Sequence, residues 1–578
     1  MTSLGKLAAM ARRLRSAIKR HGLARVMEMV GVTILRRGLL VTLQLGSIQR
    51  PFSHRLGEAP RAPAKRRTAA EGPASDLDGD YAMSESLWLR WDKALAGAAL
   101  ADDGQTPPVT FVIDNAEAAA APLAATLAAI QAMGEAADVL APGGTLSRPP
   151  AGSALDDRFF VFLKAGDIPS PHLPRALAQA AKGGVCQVVS FDLWRRIGDR
   201  IQPILLPGAN PTLMQATDYT FSRIALRGAA LPAVSAVGDP RQWVLDWLGS
   251  QAAIEARGRW RHIGRPLVRA ALTDETIARQ RREVLSLARR PIAQHPRESV
   301  SVILCTRDKG HLTRQIVRHL LTKGPDLVNE VVIVSNGTAN PYALQTLDDL
   351  RQSPRVRVLQ RDEPFNFSRL CNAGVRETRG DGHLLFLNDD IAPVSEDWLE
   401  RLVARLDDPA AALVGPLLLY PDERVQHAGM YLGLKGAAGH ILRGARLPQD
   451  DYLFTAVAAR EVSALTGAAL LARRAPFMAL NGFDEQLANH LQDVDLCLRL
   501  RAIGLLNIFE PASILIHMES ASIGALQDDR NFTRGRPAEQ ERFSERWGEL
   551  LHNDPLHPRG FDVEDESLRR LRQDGRTP

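Results

Sequence analysis

Residues 383–391, HLLFLNDDI, form an apolar run that ends abruptly in Asn388, Asp389 and Asp390. Gly382 before it and Pro393 after it bound a segment of strand length, which predicts a buried strand. Carboxylates at the end of a buried strand are costly unless a positive charge neutralises them. Ligands of open α/β sheets bind at the carboxyl ends of the strands, and a hard divalent cation carrying a diphosphate would supply that charge. A solvated acidic turn is the other reading this stretch allows. Residues 492–495, QDVD, place two more carboxylates at the start of an apolar, arginine-bearing helix. There they would also serve as partners of the helix dipole. His517 closes a further apolar run, ILIH, and taken alone reads as a hydrogen-bonded packing residue.

These residues need a scaffold, and the chain is long enough to supply one. Its 578 residues allow two or three domains with sizeable cores. The four cysteines are scattered, with no C-x-x-C pair, so a reducing compartment and no disulfide framework are expected. The net charge of +6 is uneven: residues 1–70 hold 15 Lys and Arg against 2 Glu, leaving a mildly acidic body. Nucleic-acid binding by the whole protein is therefore not implied by the pI. Residues 27–48 are apolar but broken by Glu28, Arg36 and Arg37, so no uninterrupted membrane span is expected. A secretory signal, with an apolar core and a small-residue cleavage site, is not expected either.

In chain order, residues 1–50 read as a basic amphipathic helical arm suited to an anionic membrane surface. Packing of that arm on the body is the competing reading. Residues 51–82, with four prolines and a KRR cluster, read as a linker. Residues 83–270 alternate strand and helix patterns, as do residues 298–525, which indicates two mostly parallel α/β sheets. Residues 271–297 predict a connecting helix that begins at Thr273. Residues 526–578 form a charged helical tail expected to wrap onto the second region. The two regions share an order of strand, helix, strand and a strand end, FLKAGD at 162–167 and FLNDDI at 386–391, which suggests an internal repeat.

From residue 298 to residue 525 the motifs ILCTRD, PFNFSRLCNAG, LFLNDD, YPDERVQHAG, LTGAALLARR, GFDE, QDVDLCLRLR and HMES follow in that order. This series resembles family 2 glycosyltransferases of the GT-A fold, in the branch of bacterial rhamnosyltransferases and surface-polysaccharide enzymes. The resemblance implies a nucleotide-sugar donor, a glycan or polyprenyl-linked acceptor and Mn²⁺ or Mg²⁺. NDD then stands at the D-x-D position, with Asp390 as metal ligand, His517 completing the metal shell, and Asn388 and Asp389 beside the donor. Inverting transfer needs a base for the acceptor hydroxyl, and the family's E-D pair falls on Gln492 and Asp493, making Asp493 the base. Thr306, Asp308, Ser335 and Asn336, at the first strand ends, and Arg369 and Asn372, in FSRLCNAG, are expected at the donor and nucleotide. Thr466, Gly467 and Asp495 are expected on the acceptor side, with Asp495 supporting the helix start or the site's electrostatics.

Residues 83–270 resemble the same fold in degenerate form: Lys164 and Gly166 stand where carboxylates would be, and a lysine repels a cation. Asp167 is assigned a turn or capping role. The expected whole is a cytoplasmic inverting glycosyltransferase, peripheral on the inner face of the plasma membrane, with two GT-A-like domains in tandem. A non-catalytic glycan-binding scaffold and a nucleotidyltransferase on a similar sheet are the rival readings. The latter would want a glycine-rich basic phosphate loop, and TRDKGHLTR has one glycine.

Overall fold

Strands that read as near-continuous apolar runs, such as VSVILCT and HLLFL, are buried on both faces between layers of helices, the arrangement such runs demand. The computed structural model describes residues 82–96, 109–114, 120–134, 137–140, 145–146, 157–182, 186–231, 235–236, 239–250, 258–288, 290, 292, 298–323, 327–518 and 530–572. The basic arm of residues 1–50 and all but the last residue of the 51–82 linker lie outside them.

The first sheet is built from β1 (Val109–Asp114), β2 (Ala137–Leu140), β3 (Phe159–Lys164), β4 (Ile168–Pro169), β5 (Val188–Ile197), β6 (Arg200–Ile204), β7 (Ile224–Arg227) and β8 (Trp260–Arg269). Its order is β2-β1-β3-β7-β5-β8-β4, with β6 paired to β5. A helix, α1 (Asp274–Ala288), leads out of it, and Thr273 Oγ1 accepts from Thr276 N at 3.2 Å at its start.

The second sheet contains β9 (Val300–Thr306), β10 (Val328–Asn336), β11 (Val356–Arg361), β12 (His383–Leu387), β13 (Ile391–Pro393), β14 (Ala411–Leu419), β15 (Val425–His427), β16 (Arg460–Glu461), β17 (Ala469–Ala472) and β18 (Leu506–His517). Its order is β11-β10-β9-β12-β17-β14-β18-β13, with β15 on β14 and β16 on β18. Without β11 and β16, this is the first sheet's order, strand for strand. The senses agree too: β1 with β3 and β9 with β12 are parallel, whereas β3 with β7 and β12 with β17 are antiparallel.

The register at the last pair matters for the site. In the first sheet Ile168 of β4 faces Arg269 of β8, and in the second Ile391 of β13 faces His517 of β18. Three helices line the second sheet near its site. They are α2 (Gly310–Lys323), α3 (Phe367–Arg376) and α4 (Gln492–Ala502). Asn366 caps α3 by accepting from Arg369 N at 2.9 Å. Gly374 lets α3 sit directly on β9 and β10: a Cβ there would lie 2.6 Å from Ile303 and 3.0 Å from Val334. Close helix–strand packing thus accounts for the glycine of FSRLCNAG.

Polar contacts tie the two regions together. Asn210 Nδ2 donates to the Glu461 carbonyl at 2.9 Å, Thr212 Oγ1 donates to Glu461 Oε1 at 3.0 Å, and Leu205 N donates to Tyr452 Oη at 2.9 Å. The tail, with α5 (Arg530–His552), packs on the second region, where Ser463 Oγ donates to Asp554. It also reaches the first region, since any Cβ on Gly208 would fall on the Pro555 carbonyl.

Candidate active site

Strand β12 ends in Asn388, Asp389 and Asp390, and the neighbouring strands decide what each one meets. Asp389 turns toward β9: its Oδ2 accepts from Thr306 Oγ1 at 2.8 Å, and Thr306 in turn meets Thr313 Oγ1 of α2 at 2.8 Å. Burial pushes the Asp389 carboxyl up to about 6, although Lys309 pulls against it. Asp390 turns toward β18. Its Oδ1 is buried without a hydrogen-bond partner and lies 3.2 Å from His517 Nε2, outside hydrogen-bond geometry. Burial alone would raise the Asp390 carboxyl, but His517 and Lys309 outweigh it and hold the group below the usual carboxylate range.

The histidine is held from behind. His517 Nδ1 is 2.8 Å from Gln426 Oε1, so with that oxygen accepting, Nδ1 carries the proton and Nε2 presents its lone pair toward Asp390. A carboxylate oxygen and an imidazole nitrogen facing each other at that distance call for a positive charge: a proton on the ring, which is what holds the Asp390 carboxyl down, or a cation between the two in its place. Asn388 Nδ2 approaches the same nitrogen at 3.5 Å. Outer-shell fixation of a ligating histidine by a side-chain carbonyl is the usual arrangement at metal centres. One carboxylate oxygen and one imidazole nitrogen therefore fit a divalent cation bound by few protein ligands.

The helix carrying QDVD delivers Asp493 to the same place. Leu491, before α4, takes a left-handed φ of 64°, a conformation that is strained for a branched side chain and is found where function dictates geometry. Asp493 Oδ2 then accepts from Gly467 N at 2.8 Å and Oδ1 from Val494 N at 2.9 Å. Gly467 precedes Ala468, whose carbonyl accepts from Asn388 N at 2.9 Å. Two residues, Gly467 and Ala468, thus connect the Asp493 carboxylate to the end of β12. Burial raises the Asp493 carboxyl, against the backbone N–H groups of Gly467, Val494 and Asp493 itself, which lower it. A carboxylate so placed is a stronger base than a solvated one.

Other expected site residues are spent on structure. The acceptor-side role of Asp495 is corrected: its carboxylate is fully buried and takes Arg546 Nη1 at 2.7 Å, Trp547 Nε1 at 3.0 Å and Arg499 Nε at 2.7 Å. It is buried away from any acceptor and fastens α5 to α4, the helix support that was the other role expected of it. The donor role of Asn372 is corrected likewise. Its amide donates to the Phe483 carbonyl at 2.9 Å and accepts from Phe483 N at 3.0 Å, clamping the GFDE turn. Arg369 pairs with Glu485 of that turn at 3.2 Å. Asp308 Oδ1 accepts from Ala339 N and Asn340 N at 2.8 and 2.7 Å, and Ser335 Oγ donates to Thr338 Oγ1 at 2.8 Å. Asn336 donates to the Arg361 and Glu363 carbonyls, both at 2.9 Å. These three shape the turns after β9 and β10, so whatever they do for a nucleotide they do by forming the wall.

Two residues that the motifs do not single out complete the site. One is Gln426, behind His517. The other is Lys309, whose Nζ lies 3.5 Å from both Asp389 Oδ1 and Asp390 Oδ2. The signal for Lys309 was its place in the turn after the first strand of a sheet, between Asp308 and the start of α2.

In the first region the corresponding strand end is neutralised from within. Asp167 Oδ1 and Oδ2 receive Arg223 Nη2 and Nε at 2.8 and 2.9 Å, and they also accept from Ala271 N at 2.8 Å and Lys164 N at 2.7 Å. A turn or capping role understates this: Asp167 is one half of a fully buried ion pair. Lys164 faces Asp114 at 3.5 Å.

Residues 301–462 match the family model described as Glycosyl transferase family 2. The chain is 32% identical to the O-antigen biosynthesis protein RfbC of Myxococcus xanthus, over 63% of this chain and 31% of that protein. Residues 298–578 alone are too few for that match, which therefore extends into the first region. It is 26% identical to an N-acetylglucosaminyl-diphospho-decaprenol L-rhamnosyltransferase of Mycobacterium tuberculosis, over 36% of this chain and 77% of that protein. Among solved structures, GalNAc-T7 with UDP, GalNAc and Mn²⁺ shares 15% identity at a TM-score of 0.35, over 45% of this chain and 57% of that one. The chain spans 28–31% of the length of the curated relatives it matches over the longest stretches. Within the second region, residues 301–462 are thus similar to family 2 glycosyltransferases, and the chain resembles bacterial surface-polysaccharide enzymes.

Proposed function

We propose that this chain is a metal-dependent, inverting glycosyltransferase. It moves a sugar from a nucleotide-sugar donor to a glycan or lipid-linked glycan acceptor during synthesis of a bacterial surface polysaccharide. The observation that carries the reading is the buried, unpartnered Oδ1 of Asp390 facing His517 Nε2, with Asp493 linked to Asn388 through Gly467 and Ala468.

Asp390 and His517 would hold a Mn²⁺ or Mg²⁺ ion, with Asn388 beside it. Such an ion, when bound, offsets the charge of the departing diphosphate. The protein's own residues do the rest. Asp493 accepts the proton of the acceptor hydroxyl as its oxygen attacks the anomeric carbon. The bond from that carbon to the diphosphate oxygen breaks, and the nucleoside diphosphate leaves with the electron pair. Attack from the face opposite the leaving group inverts the anomeric centre. The Gly467 N–H holds Asp493 in orientation.

We place two GT-A-like domains in tandem, the first without transfer activity, on the ground of the shared strand order and of the internal ion pair at Asp167. Peripheral attachment of the arm to the inner face of the membrane is part of the same reading; among the described residues no helix is long and apolar enough to cross a bilayer. The relatives named for O-antigen biosynthesis and for rhamnosyl transfer to a decaprenol-linked sugar support the substrate classes. The deciding experiment is a panel of nucleotide sugars assayed with Mn²⁺ for hydrolysis or transfer, using the full chain and Asp390→Ala. Metal-dependent turnover that is lost in the variant supports the reading. Turnover unchanged by the substitution, or by chelation, overturns it.

A further inference from the structure

Two adjacent buried carboxylates repel each other, and Lys309 is what balances them here. Its Nζ sits 3.5 Å from Asp389 and 3.5 Å from Asp390, and its side chain is 15% exposed. Asp390 therefore has two faces: Oδ2 toward the lysine, and the bare Oδ1 toward His517. A divalent cation on the His517 face would share the Asp390 carboxylate with an ammonium group. In a partly buried site their repulsion is not screened away. A diphosphate changes the balance, because its negative charge is attracted to metal and ammonium alike.

We propose that Lys309 is a positioning residue that makes the cation and the donor diphosphate bind as a pair: it opposes the metal in the empty site and holds the diphosphate once the metal is in place. The inference rests on the metal reading of Asp390 and His517 and adds a coupling to it. Coupling is reciprocal, so the factor by which diphosphate strengthens metal binding equals the factor by which metal strengthens diphosphate binding. Lys309 occupies a fixed end of the turn that leads into α2, and Thr306 and Asp389 anchor that turn. The ammonium is thus built into the site wall.

The test is a calorimetric cycle on the full chain with Mn²⁺ alone, pyrophosphate alone, and each in the presence of the other. It is run on the wild type, Lys309→Met, Lys309→Arg and Asp390→Ala. The wild type should bind Mn²⁺ alone weakly and gain about 5- to 150-fold when pyrophosphate is present, the usual span of such couplings. In Lys309→Met, Mn²⁺ alone should bind about tenfold more tightly, pyrophosphate alone more weakly, and the coupling should fall toward unity. Lys309→Arg keeps the charge and should keep most of the coupling, which separates charge from a folding defect. Wild-type Mn²⁺ affinity and coupling in Lys309→Met, with Mn²⁺ binding lost in Asp390→Ala, overturn the lysine's role and leave the metal reading standing. Absence of Mn²⁺ binding in every form, with pyrophosphate present, overturns both.

Discussion

Asp167 and Asp390 occupy the same place in two sheets of the same strand order, and they are used in opposite ways. Each immediately precedes the isoleucine that pairs with the end of the last strand, Ile168 with Arg269 and Ile391 with His517. By that register the first strand end is one residue longer, and the residue matching Asp390 is Asp167. Gly166, which a gapless alignment puts there, instead turns at a φ of 96° against Ala271. Asp167 is saturated by Arg223 and two backbone N–H groups. Asp390 keeps one oxygen bare beside a histidine. Where the second sheet ends in a histidine, the first ends in Arg269, whose guanidinium lies 6.0 Å from the Trp194 ring. A permanent cation within the chain makes a carboxylate structural, whereas an imidazole lone pair opposite a carboxylate asks for a cation from outside. The retained acid is therefore no guide to activity; its counter-charge is.

Breaking that comparison at the catalytic end should give the largest effect. Asp493→Asn should lower single-turnover transfer by about 10²- to 10⁴-fold, the usual worth of a positioned base, while Mn²⁺-dependent binding of the nucleoside diphosphate persists. A rate within tenfold of wild type would remove Asp493 from the base role. In the wild type the raised Asp493 carboxyl adds a pH signature. The base must be ionised to work, so transfer should fall as the pH drops through its folded-state pKa. That acid limb should lie above the ordinary aspartate value of about 3.9. A limb at or below that value in the pH–rate profile would contradict the buried environment.

Next come the two counter-charges. Arg223→Met leaves Asp167 buried without its partner and should cost about 3–5 kcal/mol of stability, read by denaturant unfolding, without changing Mn²⁺ affinity. Asp390→Ala should do the reverse: it should abolish Mn²⁺ binding while unfolding moves by less than about 1 kcal/mol, because an oxygen without a hydrogen bond contributes little to stability. Equal stability losses in the two variants would mean that both aspartates are structural.

The sequence carried the strands of both sheets because short apolar runs bounded by glycine and proline have few alternatives. It carried Asp390, Asp493 and His517 because each closes or opens such a run. The shift that matches Asp167 to Asp390 was not legible, since it depends on a pairing with β8 about 100 residues later. Asn372 and Asp495 misled for a related reason. Both sit in motifs beside the site, but their partners, Phe483 and Arg546, are distant in sequence. Only the tertiary contacts show that their polar atoms are already committed. Lys309 and Gln426 lie beside ILCTRD and within YPDERVQHAG, but only their contacts with residues of other strands show what they do.

The smallest effect should come from Lys164, the residue whose charge first suggested that the leading region binds no cation. Its ammonium is 44% exposed and its partner Asp114 is 40% exposed, and exposed pairs contribute at most about 1 kcal/mol. Asp167 is neutralised by Arg223 whether or not Lys164 is present. Lys164→Ala should therefore leave stability within about 1 kcal/mol and create no Mn²⁺ site, as measured by unfolding and by calorimetry with the metal alone. Mn²⁺ binding gained in this variant, and lost again in Lys164→Ala combined with Asp167→Asn, would show that the lysine blocked a latent site. The Arg223 ion pair would then be weaker than its two short contacts imply, and the leading region would be a suppressed transferase domain.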